Sequence, residues 1–174
     1  MDRRAFFRLT ALGSLGASLL PASAFAAPTP VLAQTQLGID VLTAGGFETL
    51  RGVRCGLVTH RAGMNGAGKR TADVLANAPG VRLTKLFGPE HGIDGSAAAE
   101  IAIKNAKDAR TGLPVFSLYG ATRRPSPEML EGLDAIVIDF QDVGSRSYTY
   151  ISCMRYVIEA CFSLPRPIRV IVLD

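Results

Sequence analysis

The chain has 174 residues, 48% of them hydrophobic and 20% charged, which fits one soluble globular domain and argues against disorder over most of its length. Its formal net charge is +4, yet no block of basic residues interleaved with aromatics follows, so no nucleic-acid surface is expected. Of three cysteines, Cys153 and Cys161 share one helical stretch with Cα atoms about 12 Å apart, too far to bridge. All three read as small buried hydrophobes, and the absence of a C-x-x-C pattern gives no zinc signal.

Residues 1–26 read as an export signal. Arg3, Arg4 and Arg8 precede an apolar run from Leu9 to Leu20, and Ala24-Phe25-Ala26 forms an A-x-A cleavage site. Arg3-Arg4 followed by Phe6 and Phe7 has the look of the twin-arginine (Tat) type, with an ordinary Sec signal as the other reading. Either implies a mature protein that is periplasmic or secreted. The run is shorter than the roughly 18 apolar residues of a spanning helix, so no membrane anchor is expected after cleavage. Removal of Met1–Ala26 takes away three arginines and one aspartate and lowers the formal charge from +4 to +2.

Residues 27–37 form a linker, and residues 38–174 a domain in which strands and helices alternate. Ile39–Leu50 has a weak helical pattern broken at Gly45-Gly46. Val53–Thr59 is a short strand, followed by the Gly-rich loop HRAGMNGAGK and a helix, TADVLANAPG, with Thr71 as its expected cap. Val81–Phe87 is a second strand and PVFSLYG a third, and SPEMLEG opens a helix with Ser126 at N-cap and Pro127 at N1. DAIVIDF is a fourth strand. Tyr148–Phe162 carries Ile151, Met154, Val157, Ile158 and Cys161 at helical spacing, with Arg155 and Glu159 paired outward. IRVIVLD is the fifth strand. This alternation predicts a Rossmann-like α/β fold, a mainly parallel sheet with helices on both faces. Because the last strand runs to the final residue, Asp174, the domain is expected to be the N-terminal part of a longer two-domain protein.

In an open parallel sheet, ligands bind beyond the carboxyl ends of the strands. His60 and Arg61 follow the first strand, Glu90 and His91 the second, Tyr119 the third, and Asp139, Gln141, Asp142 and Arg146 the fourth. The stretch LFGPEHGIDG sets Glu90 and His91 among glycines and a proline, so that a sharp turn can aim them into the crevice. His91 suits a structural role equally well, and Asp139 suits backbone capping in the DFQDVG turn as well as catalysis. Arg146 has the planar fork that carboxylate recognition favours, while Tyr148 and Tyr150 on the first helical turn fit core or site. The Gly-rich loop lacks the spacing of either phosphate-binding fingerprint, and no cofactor is expected. Metal binding by His60, Glu90, His91 and Asp142 rests on ligand type alone, without H-E-x-x-H spacing.

GLVTHRAGMNGAGKRTADVL, LFGPEHGIDG and the stretch from TGLPVFSLYG to DFQDVGSRSYTYIS together resemble the exo-β-N-acetylmuramidase family of peptidoglycan recycling, over about Gly38–Asp174. The resemblance implies an envelope glycosidase that releases N-acetylmuramic acid from the non-reducing ends of peptidoglycan fragments, muropeptides or disaccharides. It implies an N-terminal Rossmann-like domain with a cleft against a second domain. It further implies Glu90 as catalytic acid, with His91, Asp139, Asp142, Arg146 and Tyr148 lining the site. Where family members carry Asn-Gln-Thr-Gly, this chain has His60-Arg61-Ala62-Gly63, and it lacks their bulky aromatic near Ser147. A general acid must hold a proton, so the Glu90 carboxyl is expected to be raised by a dry cleft or by nearby Asp139 and Asp142. Asp139 or Asp142 would serve as base, as nucleophile or as the group that orients the substrate's acetamido arm. A non-catalytic sugar- or muropeptide-binding domain and a metal-dependent hydrolase are the alternatives.

Overall fold

The computed structural model describes residues 35–145 and 147–173, so the expected export signal, linker residues 27–34 and Arg146 lie outside the described residues. Within them, β1 (Arg54–Thr59), β2 (Arg82–Gly88), β3 (Ala106–Lys107), β4 (Pro114–Ser117), β5 (Ala135–Asp139) and β6 (Arg169–Val172) form one sheet. Its order is β3-β4-β2-β1-β5-β6, parallel throughout except for β3 against β4. The parallel strands are those expected from sequence. β3 is an addition, for two exposed residues carry no periodic pattern. From β1 the chain winds outward through β2 to β4, then returns to the other side of β1 for β5 and β6, a Rossmann-like order.

The central strands are apolar on both faces because helices cover both. Alternation along a strand sends Leu57, Leu86 and Val137 to one side, where Ile39, Leu50, Ala72 and Leu75 meet them. It sends Val58, Phe87 and Ile138 to the other side, against Leu130, Cys153, Val157 and Cys161. Fully burying a Leu, Ile, Val or Phe contributes about 1.5–3 kcal/mol, so this double layer is the main source of stability. The cysteines are free, and burial pushes the Cys153 thiol up to about 12, as expected of inert core residues.

The helices refine the sequence reading. The expected Ile39–Leu50 helix is two pieces, α1 (Gly38–Ala44) and a 3-10 turn (Glu48–Leu50), because Gly46 and Phe47 adopt left-handed backbone at φ 64° and 57°. α2 (Thr71–Ala76) begins on Thr71 itself, so Thr71 is no cap, and its buried hydroxyl donates to Asp139 instead. α3 (Pro127–Leu130) matches expectation, with the Ser126 hydroxyl accepting from the Met129 N–H and Pro127 leading. α4 (Tyr150–Phe162) starts two residues later than expected. Its buried stripe runs through Cys153, Val157, Ala160 and Cys161, small side chains that let the helix lie close on the sheet, while Ile151 is 58% exposed. The Arg155–Glu159 pair forms at 2.7 Å, as spaced.

Candidate active site

β2 delivers Glu90 to the carboxyl edge of the sheet through a turn closed by Gly92 N–H donating to the Pro89 carbonyl at 3.0 Å. His91 and Gly92 follow with φ of 69° and 77°, a left-handed pair that costs a histidine energy unless something holds it. The hold is local: His91 Nδ1 donates to the Ala97 carbonyl at 2.9 Å, and the His91 carbonyl accepts from Ala97 N–H at 3.3 Å. His91 therefore pins the loop that carries Glu90, the structural role its sequence position also allowed.

Both Glu90 oxygens have donors. Oε1 accepts from the Glu100 N–H at 3.1 Å and Oε2 from the Thr149 hydroxyl, just before α4, at 2.8 Å. Burial works to raise this carboxyl, but these donors, a smaller hydrogen bond from Tyr119 and the charge of His91 outweigh it and hold Glu90 below the ordinary glutamate value. The expectation of a raised value is thus reversed, since each donor favours the charged form. Glu90 opens onto a pocket of about 150 Å³ that it lines with Tyr119, Arg123, Thr149, Ser152 and Tyr156.

Past β1 and β5 lies a different kind of polar cluster. His60, 7% exposed, accepts the Gln141 N–H on Nε2 at 2.9 Å, and its ring packs edge-on to Phe140 and Tyr150. Burial lowers its proton affinity against the opposing charge of Asp142, so it is neutral with its proton on Nδ1. This contact ties the two strand ends at the point where the winding of the sheet reverses. Beneath it Asp139 is 2% exposed and accepts from the Thr71 hydroxyl. Burial raises the Asp139 carboxyl, partly offset by hydrogen bonds from Thr71 and Gln141. A Cβ on Gly63 would sit 2.1 Å from Thr59 Oγ1 and 3.2 Å from Asp139 Oδ2, so only glycine lets the loop after β1 close over them.

The expected residues therefore separate. Glu90 and Tyr119 share the small pocket, while His60, Arg61, His91 and Tyr150 line an open depression of about 470 Å³. Asp142 is exposed and accepts from Gly144 N–H at 3.0 Å, and Tyr148, 49% exposed, precedes α4. Sequence reasoning missed Thr149, Ser152 and Tyr156, whose i, i+3, i+7 spacing marks one helical face, and Arg123, which closely follows the third strand. Glu100 had no signal, because it acts through its backbone. Among the described residues, no three His, Cys, Asp or Glu side chains gather as metal ligands.

A parallel sheet wrapped on both faces, with polar groups collected past its strand ends, defines a Rossmann-like α/β domain. The chain belongs to the family described as exo-beta-N-acetylmuramidase NamZ, N-terminal, which matches residues 55–174. It is 47% identical over 127 residues to the peptidoglycan beta-N-acetylmuramidase NamZ of Bacillus subtilis (strain 168), covering 73% of this chain and 31% of that protein. Two crystal structures of DUF1343 family proteins from Bacteroides fragilis NCTC 9343 share the fold. One has a TM-score of 0.72 at 45% identity, covering 80% of this chain and 34% of its own. The other has 0.65 at 29% identity, covering 82% and 35%. The chain thus spans about a third of the length of these relatives.

Proposed function

We propose that this chain is the glycan-cleaving N-terminal domain of a glycosidase that releases N-acetylmuramic acid from the non-reducing ends of peptidoglycan fragments, with Glu90 as general acid. The observation that carries the reading is Glu90 itself, held by two donors at the mouth of a pocket on the strand-end edge. Glycoside cleavage needs a protonated carboxyl group at the leaving oxygen and usually a second carboxyl across the bond. In the free protein the donors keep Glu90 charged. A sugar seated over it strips away water and adds to the burial that already acts to raise the carboxyl, so proton uptake accompanies binding. Asp142, exposed in the loop after β5, is the more accessible second carboxyl, whereas Asp139 is buried. His60, Arg61, Gln141 and Tyr148 complete the binding edge, Arg146 is kept as a binder on its sequence position alone, and muropeptides or disaccharides are the ligands.

Glu90→Gln keeps the shape but cannot donate a proton, and kcat on a natural disaccharide should fall about 10²- to 10⁴-fold in the full-length protein. An activated aryl N-acetylmuraminide, whose leaving oxygen needs little protonation, should lose less. An unchanged kcat on the disaccharide would end this reading. The depressed proton affinity of Glu90 favours one second reading, a sugar-binding domain without turnover, for which Glu90→Gln would alter affinity alone.

The same reading sends the protein through Tat or Sec export to the periplasm or medium. N-terminal sequencing of the exported form should begin at Ala27, and an intact Met1 in the cytoplasmic fraction would refute it.

A further inference from the structure

We propose that Arg123 recognises the carboxylate of the substrate sugar, holding it over the Tyr119 ring at the edge of the Glu90 pocket. The inference rests on the muramidase reading and names the residue behind its substrate choice.

The Arg123 guanidinium carbon lies 4.4 Å from the centroid of the Tyr119 ring, within cation–π distance. Stacking of this kind orients a planar fork before any ligand arrives, which lowers the ordering cost of binding. Arg124, Arg54, Arg70, Arg110 and Arg155 each have a carboxylate partner within the domain. Arg123 has no ion pair among the described residues, although it lines the same pocket as the Glu90 carboxylate. That carboxylate has other donors in Glu100 N–H and Thr149.

The pocket also fits in size and lining. Its 150 Å³ holds about five water-sized groups, and Thr149, Ser152 and Tyr156 place hydroxyl-bearing side chains around it. N-acetylmuramic acid differs from N-acetylglucosamine by one lactyl ether, a methyl-bearing carbon and a carboxylate. Seated at Arg123, that carboxylate would neutralise a cation and set a negative charge near Glu90, and both changes favour the protonated acid. Chain order points to Arg146 for this role, whereas the geometry around Glu90 points to Arg123.

The test is calorimetric titration of the protein with N-acetylmuramic acid and with N-acetylglucosamine, in the parent, Arg123→Gln, Arg123→Lys and Arg146→Gln, with thermal melts to confirm folding. Arg123→Gln should weaken N-acetylmuramic acid binding about 10- to 100-fold, the worth of a charge-assisted hydrogen bond, and change N-acetylglucosamine binding less than about twofold. Arg123→Lys should recover part of the loss. A preference that survives Arg123→Gln, or one that Arg146→Gln removes instead, overturns the assignment and leaves the muramidase reading standing. A parent protein that binds neither sugar overturns both.

Discussion

Glu90, just beyond β2, and Asp139, the last residue of β5, stand at one sheet edge, yet their surroundings push them in opposite directions. Glu90 is half-buried and surrounded by donors, and it holds its charge more firmly than a free glutamate. Asp139 lies under the loop after β1, where burial outweighs the help of Thr71 and Gln141, and it holds its proton more firmly than a free aspartate. Position at the strand ends thus does not define a catalytic carboxylate. What separates the two is access: Glu90 opens onto a pocket and Asp139 onto the polar interior.

The largest expected difference in stability comes from deleting each carboxylate. Asp139→Ala removes the acceptor of the buried Thr71 hydroxyl and opens space under Gly63, and it should cost about 2–3 kcal/mol in denaturant unfolding. Glu90→Ala, beside solvent that can satisfy its donors, should cost less than about 1 kcal/mol. Equal losses would break the distinction between anchor and acid.

The dependence on pH sharpens the contrast. Glu90 is held low, so its contribution to stability is present above the ordinary glutamate value and lost as pH falls through its folded-state value. Asp139 is held high, so its contribution is complete below the ordinary aspartate value and lost as pH rises through its folded-state value. Between about pH 3 and pH 7, the melting temperature of Asp139→Asn should therefore gain on the parent as pH rises. That of Glu90→Gln should lose ground over the same range, and parallel curves for both variants would contradict the assignment of the two environments.

The smallest effect concerns one hydrogen bond. Thr149→Val removes the hydroxyl that donates to Glu90 Oε2 and, with solvent able to replace it, should cost about 0.5 kcal/mol. It should also move the alkaline limb of kcat/KM to higher pH, since Glu90 would then keep its proton longer. A limb that stays in place would show that Thr149 orients α4 without tuning the acid.

Much of this protein follows from the sequence because its signals are local. The period-two and all-apolar runs mark each parallel strand, Ser126-Pro127 marks the start of α3, and the residues after each strand fall at the binding edge once the sheet is known to be parallel. Glu90 is legible for that reason, as the carboxylate in a Gly-Pro turn at a strand end. The start of α4, its exposed Ile151 and the role of Thr71 were not, because helical periodicity does not say which of two adjacent stripes faces the sheet. Nor was the state of the carboxylates. Thr149 reaches Glu90 across 59 residues of chain, and Thr71 reaches Asp139 across 68. Proton affinity depends on how many donors and how much water surround a group, and only the folding of distant segments onto one edge decides both.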